Sequence, residues 1–156
     1  MAIIVHTSYQ LDRKGLPSAT SFREWVTAAL HGARKRSGEV SIVLVDAEEG
    51  RQMNLQYRGR DYATNVLSFP VDLPAGVRTT LLGDLIVCAP VVAREAAEQH
   101  KKIADHYAHM IIHGSLHLLG HDHIIETEAE RMEALETRIL AKLGIADPYL
   151  PIDTLP

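Results

Sequence analysis

The chain has 156 residues, a formal net charge of −4, 46% hydrophobic and 23% charged residues, and a single cysteine. These values fit one domain spanning 1–156 with a sizeable core, and they argue against a protein coated in positive charge for nucleic acid, while leaving room for a local basic groove. No run approaches the roughly 20 apolar residues that cross a bilayer.

The start, MAIIVHTSYQ, has no basic segment followed by a long apolar one, so no signal peptide is expected. Cys88 sits in the apolar run LIVCAP. A lone apolar cysteine excludes an internal disulfide framework and fits a reducing cytoplasm, with the thiol buried as a small hydrophobe.

In chain order, AIIVHT predicts a strand. SATSFREWVTAALHGARKR predicts a helix, with Ser18 or Ser21 as N-cap and Trp25, Ala28 and Ala29 on one face. GEVSIVLVD is a β-branched strand bounded by Gly38 and Asp46. AEEGRQMNLQYRG follows as a short helix that Asp46 can cap, with Glu48 and Glu49 suited to its first turn. TNVLSFP predicts a strand closed by Pro70, and VDLPAGVRTT a loop. LLGDLIVCAP predicts another strand, ended by Pro90 and able to pair antiparallel with TNVLSFP. Helices are expected over VVAREAAEQH, over Ile103 to Leu119 with a stop at Gly120, and over ETEAERMEALETRILAKLG. In the last, Thr127 is a candidate cap and Met132, Leu135 and Ile139 lie near one face. Strands concentrated early and helices late give an α+β fold: a small mixed β-sheet packed with helices. The basic clusters ARKR (Ala33 to Arg36) and YRGR (Tyr57 to Arg60) read as solvated surface.

Seven of the nine histidines fall between His100 and His123. His113 and His117 are four residues apart, which places both rings on one helix face, one turn apart. Gly120 can take the left-handed conformation that ends the helix and turns the chain back. His123 can then approach the same ion. Three imidazoles leave a tetrahedral zinc with one open position, the arrangement of a catalytic site. The expected centre is one Zn2+ ion on a central helix, because Met110, Ile111, Ile112, Leu116, Leu118 and Leu119 make that helix apolar on most sides. His106 and His109 extend the stripe and read as structural. His121 is not expected to be a ligand. Asp122 could support one as an outer acceptor.

The spacing H-x3-H-x2-G-x2-H also occurs in metzincin proteases, where a glutamate follows the first histidine and acts as general base. Here that position is Gly114, which has no side chain to move a proton. A phosphodiester is a substrate that could use a metal without that glutamate, because its transition-state charge can be held by the metal and an arginine. Arg58 or Arg60 could grip such a phosphate bidentately.

HGSLHLLGHDH resembles the H-G-x-L-H-L-x-G-Y-D-H signature of the YbeY family. YRGRDYATNVLSFP resembles that family's second hallmark, and LLGDLIVC and TEAERMEALE resemble a strand and an acidic helix in the same order. The resemblance implies a zinc-dependent endoribonuclease specific for single-stranded RNA. It further implies a role in 16S rRNA 3′-end maturation and ribosome quality control, with ribosomal RNA and the small ribosomal subunit as partners. It implies His113, His117 and His123 as metal ligands and Arg58 as the catalytic arginine. His121 departs from the family's usual tyrosine. Two rival readings are an assembly factor with a structural zinc and a metal-dependent peptidase.

Overall fold

Residues 2–120 and 126–149 are described by the structure, a computed structural model. Its elements run β1 (Ile3–Tyr9), α1 (Ala19–Gly32), β2 (Gly38–Val45), α2 (Ala47–Arg58), β3 (Val66–Pro70), β4 (Leu81–Cys88), α3 (Ala89–Glu98), α4 (Ile103–Leu118) and α5 (Glu126–Lys142). The fold is α+β, as the order of elements in the sequence implies.

Local chemistry sets the helix ends. The Ser18 side chain accepts from the Ser21 amide at the start of α1, and Asp46 accepts from the Glu49 amide at the start of α2. Each cap satisfies one of the N–H groups that a helix start leaves without a partner. Gly120 has φ of 93°, and its amide donates to the His117 carbonyl, so α4 stops where a residue without Cβ can turn the chain. Two expectations shift. Pro90 opens α3 at its first turn, where a missing N–H costs nothing. Thr127 lies inside α5.

The sheet order is β1-β2-β4-β3. The β1/β2 and β2/β4 pairs are parallel, and β3/β4 is the expected antiparallel pair. On one face, Phe22, Val26 and Leu30 of α1 and Tyr107, Met110 and Ile111 of α4 share a core with Val40, Ile42 and Leu44 of β2 and Leu85 and Val87 of β4. Phe22 and Val26 carry the α1 contact; Trp25 and Ala28 are only half-buried. On the other face, Val45, Leu67, Ile86 and the buried Cys88 cluster with Met53 of α2.

Met132, Ile139 and Leu140 of α5 pack on Ala29 of α1 and on Ala108, Ile112 and Leu116 of α4. Helix α4 is therefore sandwiched between the sheet and α5. This accounts for an apolar surface on most of its circumference, since each such side chain contributes about 1.5–3 kcal/mol when buried.

Candidate metal centre

Helix α4 carries His106, His109, His113 and His117 as a stripe, and its packing separates their roles. His106 is buried and its Nε2 lies 3.0 Å from a carboxylate oxygen of Glu95, which also accepts from the Asn65 side-chain amide at 3.0 Å. Burial pushes the His106 pKa below its ordinary value, against the pull of Glu95. This cluster ties α3, α4 and the start of β3 together.

The next two histidines converge on a carboxylate that the sequence did not single out. Glu136 of α5 is fully buried. One of its oxygens lies 2.5 Å from Nδ1 of His113, and the other lies 3.1 Å from Nε2 of His109 and accepts from the Tyr149 hydroxyl. Burial raises the Glu136 pKa, but the donors from His109, His113 and Tyr149 outweigh it and bring the pKa down to about 2. The acid is ionised and accepts only, so Nδ1 of His113 carries the proton and Nε2 presents its lone pair. The signal for Glu136 was present in the spacing. It follows Met132 by four residues and precedes Ile139 by three, on the face that packs inward.

On its far side, Nε2 of His113 lies 3.1 Å from Nε2 of His117. Two imidazole nitrogens on one tetrahedral zinc stand about 3.3 Å apart, given Zn–N bonds near 2.0–2.1 Å. The pair thus fits a shared zinc ion, and a carboxylate behind the first ring is a recurring support for metal-bound histidine. His109, His113 and Glu136 also bring one donor atom each within 4.8 Å of one another, a group that could hold a metal ion. His121, Asp122 and His123 lie outside the described residues. Glu136 stands behind His113 where an outer acceptor would stand, and the same role suggested for Asp122 falls outside the described residues.

Packing also accounts for the missing glutamate at position 114. A Cβ built on Gly114 would stand 2.9 Å from Leu85 Cδ2 and 3.3 Å from Ser68 Oγ. The Ser68 hydroxyl donates to the Gly114 carbonyl at 3.4 Å. Position 114 faces the sheet, so a side chain there would enter the core.

Ser68 links this helix to Arg58. The Arg58 Nη2 donates to the Ser68 carbonyl at 2.9 Å, Nη1 donates to the Tyr57 carbonyl at 3.4 Å, and the guanidinium lies 4.9 Å from the Phe69 ring centroid. Arg58 is exposed and wraps the outer edge of β3. These contacts use two of its five N–H groups. Arg60 donates instead to the Tyr62 hydroxyl at 3.2 Å.

A family model described as Endoribonuclease YbeY matches residues 9–144. A Stenotrophomonas maltophilia protein named Endoribonuclease YbeY is 62% identical over 149 residues, covering 93% of this chain and 92% of its own. A Cellvibrio japonicus protein of the same name is 57% identical over 149 residues, covering 92% of this chain and 84% of its own. A solution structure of a Thermotoga maritima protein superposes with a TM-score of 0.56 over 96% of this chain and 99% of that one. Its sequence identity is 23%, so it bears on the fold alone.

Proposed function

This chain belongs to the Endoribonuclease YbeY family, and we propose that it is a zinc-dependent endoribonuclease specific for single-stranded RNA, acting in 16S rRNA 3′-end maturation and ribosome quality control. It is an RNA-cleaving hydrolase. Its partners on this reading are ribosomal RNA and the small ribosomal subunit, in the cytoplasm. Among the described residues no helix is long and apolar enough to cross a membrane.

The observation that carries the metal assignment is the facing Nε2 pair of His113 and His117, with Glu136 behind it. His113, His117 and His123 would hold one zinc ion. Bound zinc supplies Lewis acidity, polarising a phosphoryl oxygen and acidifying water. The chain supplies the rest. Glu136 keeps His113 in the tautomer that offers Nε2. Arg58 places its remaining N–H groups at the sheet edge, where they can share phosphoryl charge. Gly114 leaves no general base at the position where metzincins have one, which favours a substrate whose cleavage depends on charge stabilisation.

The test is metal analysis combined with cleavage assays on single-stranded RNA and unfolded casein, for wild type and His117→Ala. The reading requires zinc-dependent RNA cleavage that His117→Ala abolishes, with casein intact. Casein cleavage would favour the peptidase. Stoichiometric zinc with no RNA cleavage would favour an assembly factor with a structural ion.

A further inference from the structure

The loop that joins α1 to β2 carries charge that the metal centre does not use. His31, Arg34, Lys35 and Arg36 line an open cavity of ≈ 590 Å³ at the end of α1, and no acidic residue contributes to its wall. The ion pairs among the described residues involve none of these four side chains. In a chain of net charge −4, this is a local concentration of uncompensated positive charge.

The backbone holds one of these cations in an unfavourable conformation. Arg34 has φ of 63°, in the left-handed region that glycine enters without steric cost and that other residues rarely adopt. It directly follows the C-cap Ala33, where glycine is the usual residue. An arginine here brings charge at the expense of backbone ease.

The topology puts this pocket at the metal end of the molecule. Helix α1 leads through it into Gly38, where β2 begins. In the parallel β2/β4 pair, Val40 stands opposite Gly83, so β2 and β4 start at the same end of the sheet. The Leu118 side chain, at the close of α4, packs over Gly83, with Cδ2 2.7 Å from where a Cβ would stand. Helices α1 and α4, which pack on the same sheet face, therefore both end over the starts of these strands. His117 and the basic pocket share that end.

We propose that the pocket formed by His31, Arg34, Lys35 and Arg36 docks the phosphodiester backbone of single-stranded RNA and holds the strand across the end of the molecule that carries His117. The proposal rests on the endoribonuclease reading and adds where the strand is gripped away from the reacting bond. A row of three consecutive cations suits a flexible chain with one charge per nucleotide. Contacts to phosphate carry no sequence information, so a grip of this kind is independent of sequence.

The experiment uses the zinc-loaded full chain and a labelled single-stranded RNA of about 20 nucleotides, longer than the ~16-nucleotide upper range of a single binding groove. Affinity is measured against salt for wild type, for the triple variant Arg34→Ala, Lys35→Ala, Arg36→Ala, and for Arg34→Gly, with RNA integrity checked after each titration. The triple variant should bind about tenfold or more weakly at ~0.1 M salt, and its log–log salt slope should fall by about 2, from roughly 0.7 per lost phosphate contact. It should keep its zinc and its melting temperature. Arg34→Gly should melt higher than wild type yet bind RNA more weakly, a combination that damage to the fold cannot produce. Wild-type affinity and slope in the triple variant, with wild type still binding and cutting, would overturn the docking proposal alone. A wild type that neither binds nor cuts the RNA would overturn the endoribonuclease reading and this proposal together.

Discussion

Nδ1 of His113 lies 2.5 Å from a carboxylate oxygen of the fully buried Glu136, across two helices that meet only in the folded chain. The contact fixes which nitrogen of His113 faces His117. Replacing Glu136 with alanine should weaken zinc binding by about 10–100-fold, the usual effect of losing such a support. Glu136→Gln keeps an acceptor and should recover part of that loss. Chelator competition measures the affinity and thermal melting monitors the fold. Equal zinc affinity in Glu136→Ala and wild type would remove the carboxylate from this role.

The three proposed ligands should fail alike. His113→Ala, His117→Ala and His123→Ala should each lose the stoichiometric zinc ion and RNA cleavage. Elemental analysis of metal-stripped and reconstituted protein checks this. Retention of zinc after all three substitutions would refute the ligand assignment.

Arg58→Ala should fold and bind zinc nearly as wild type does. Its contact with the Ser68 carbonyl is exposed, and its loss should cost about 1 kcal/mol. RNA cleavage should fall by roughly tenfold to a thousandfold, the range for removing one charge-stabilising donor. Full activity would end the proposed role, and a collapse in melting temperature would make Arg58 a structural residue instead.

Restoring the protease-like glutamate should harm the protein. In Gly114→Glu the new side chain meets Leu85 and Ser68. Overpacking alone costs about 1–3 kcal/mol, and a carboxylate forced toward the core adds a desolvation cost. Urea unfolding should show this loss, with no casein cleavage gained. A variant as stable as wild type would show that position 114 is open to a side chain after all.

Acid should weaken the fold through His106. Burial depresses its folded pKa, so the unfolded chain takes up a proton first as pH falls. The stability is fully present above the ordinary histidine value near 6.5 and is lost as pH falls from there toward the lower folded value. In His106→Gln, which can still reach Glu95 but does not ionise in this range, unfolding free energies measured between about pH 7.5 and about pH 5.5 should vary less than in wild type. Identical slopes would exclude His106 as the source.

Much of this architecture is legible in local pattern. Asp46 and Ser18 announce helix starts because a cap acts within three residues. The apolar circumference of α4 announces a helix covered on both sides. Glu136 and Glu95 are not legible in that way. Their histidine partners lie 23 to 27 residues and 11 residues away along the chain, so helical spacing can turn Glu136 inward but nothing local names the groups that pair with either acid. Gly114 was legible as an absence, but its reason is the distance to Leu85, a property of packing. The cluster ARKR read as ordinary solvated surface because sequence shows its charge and not the lack of acids around it.

The dependence of His113 on Glu136 also sets an order of assembly. Synthesis releases α4 from the ribosome before α5. Until α5 folds against it, His113 has no carboxylate to set its tautomer, and Ile112 and Leu116 have no cover from Met132 and Leu140. The chain therefore emerges with its histidines in place but its metal centre unfinished. For an enzyme proposed to depend on a bound metal, full metal affinity would come only once the last helix has folded against α4.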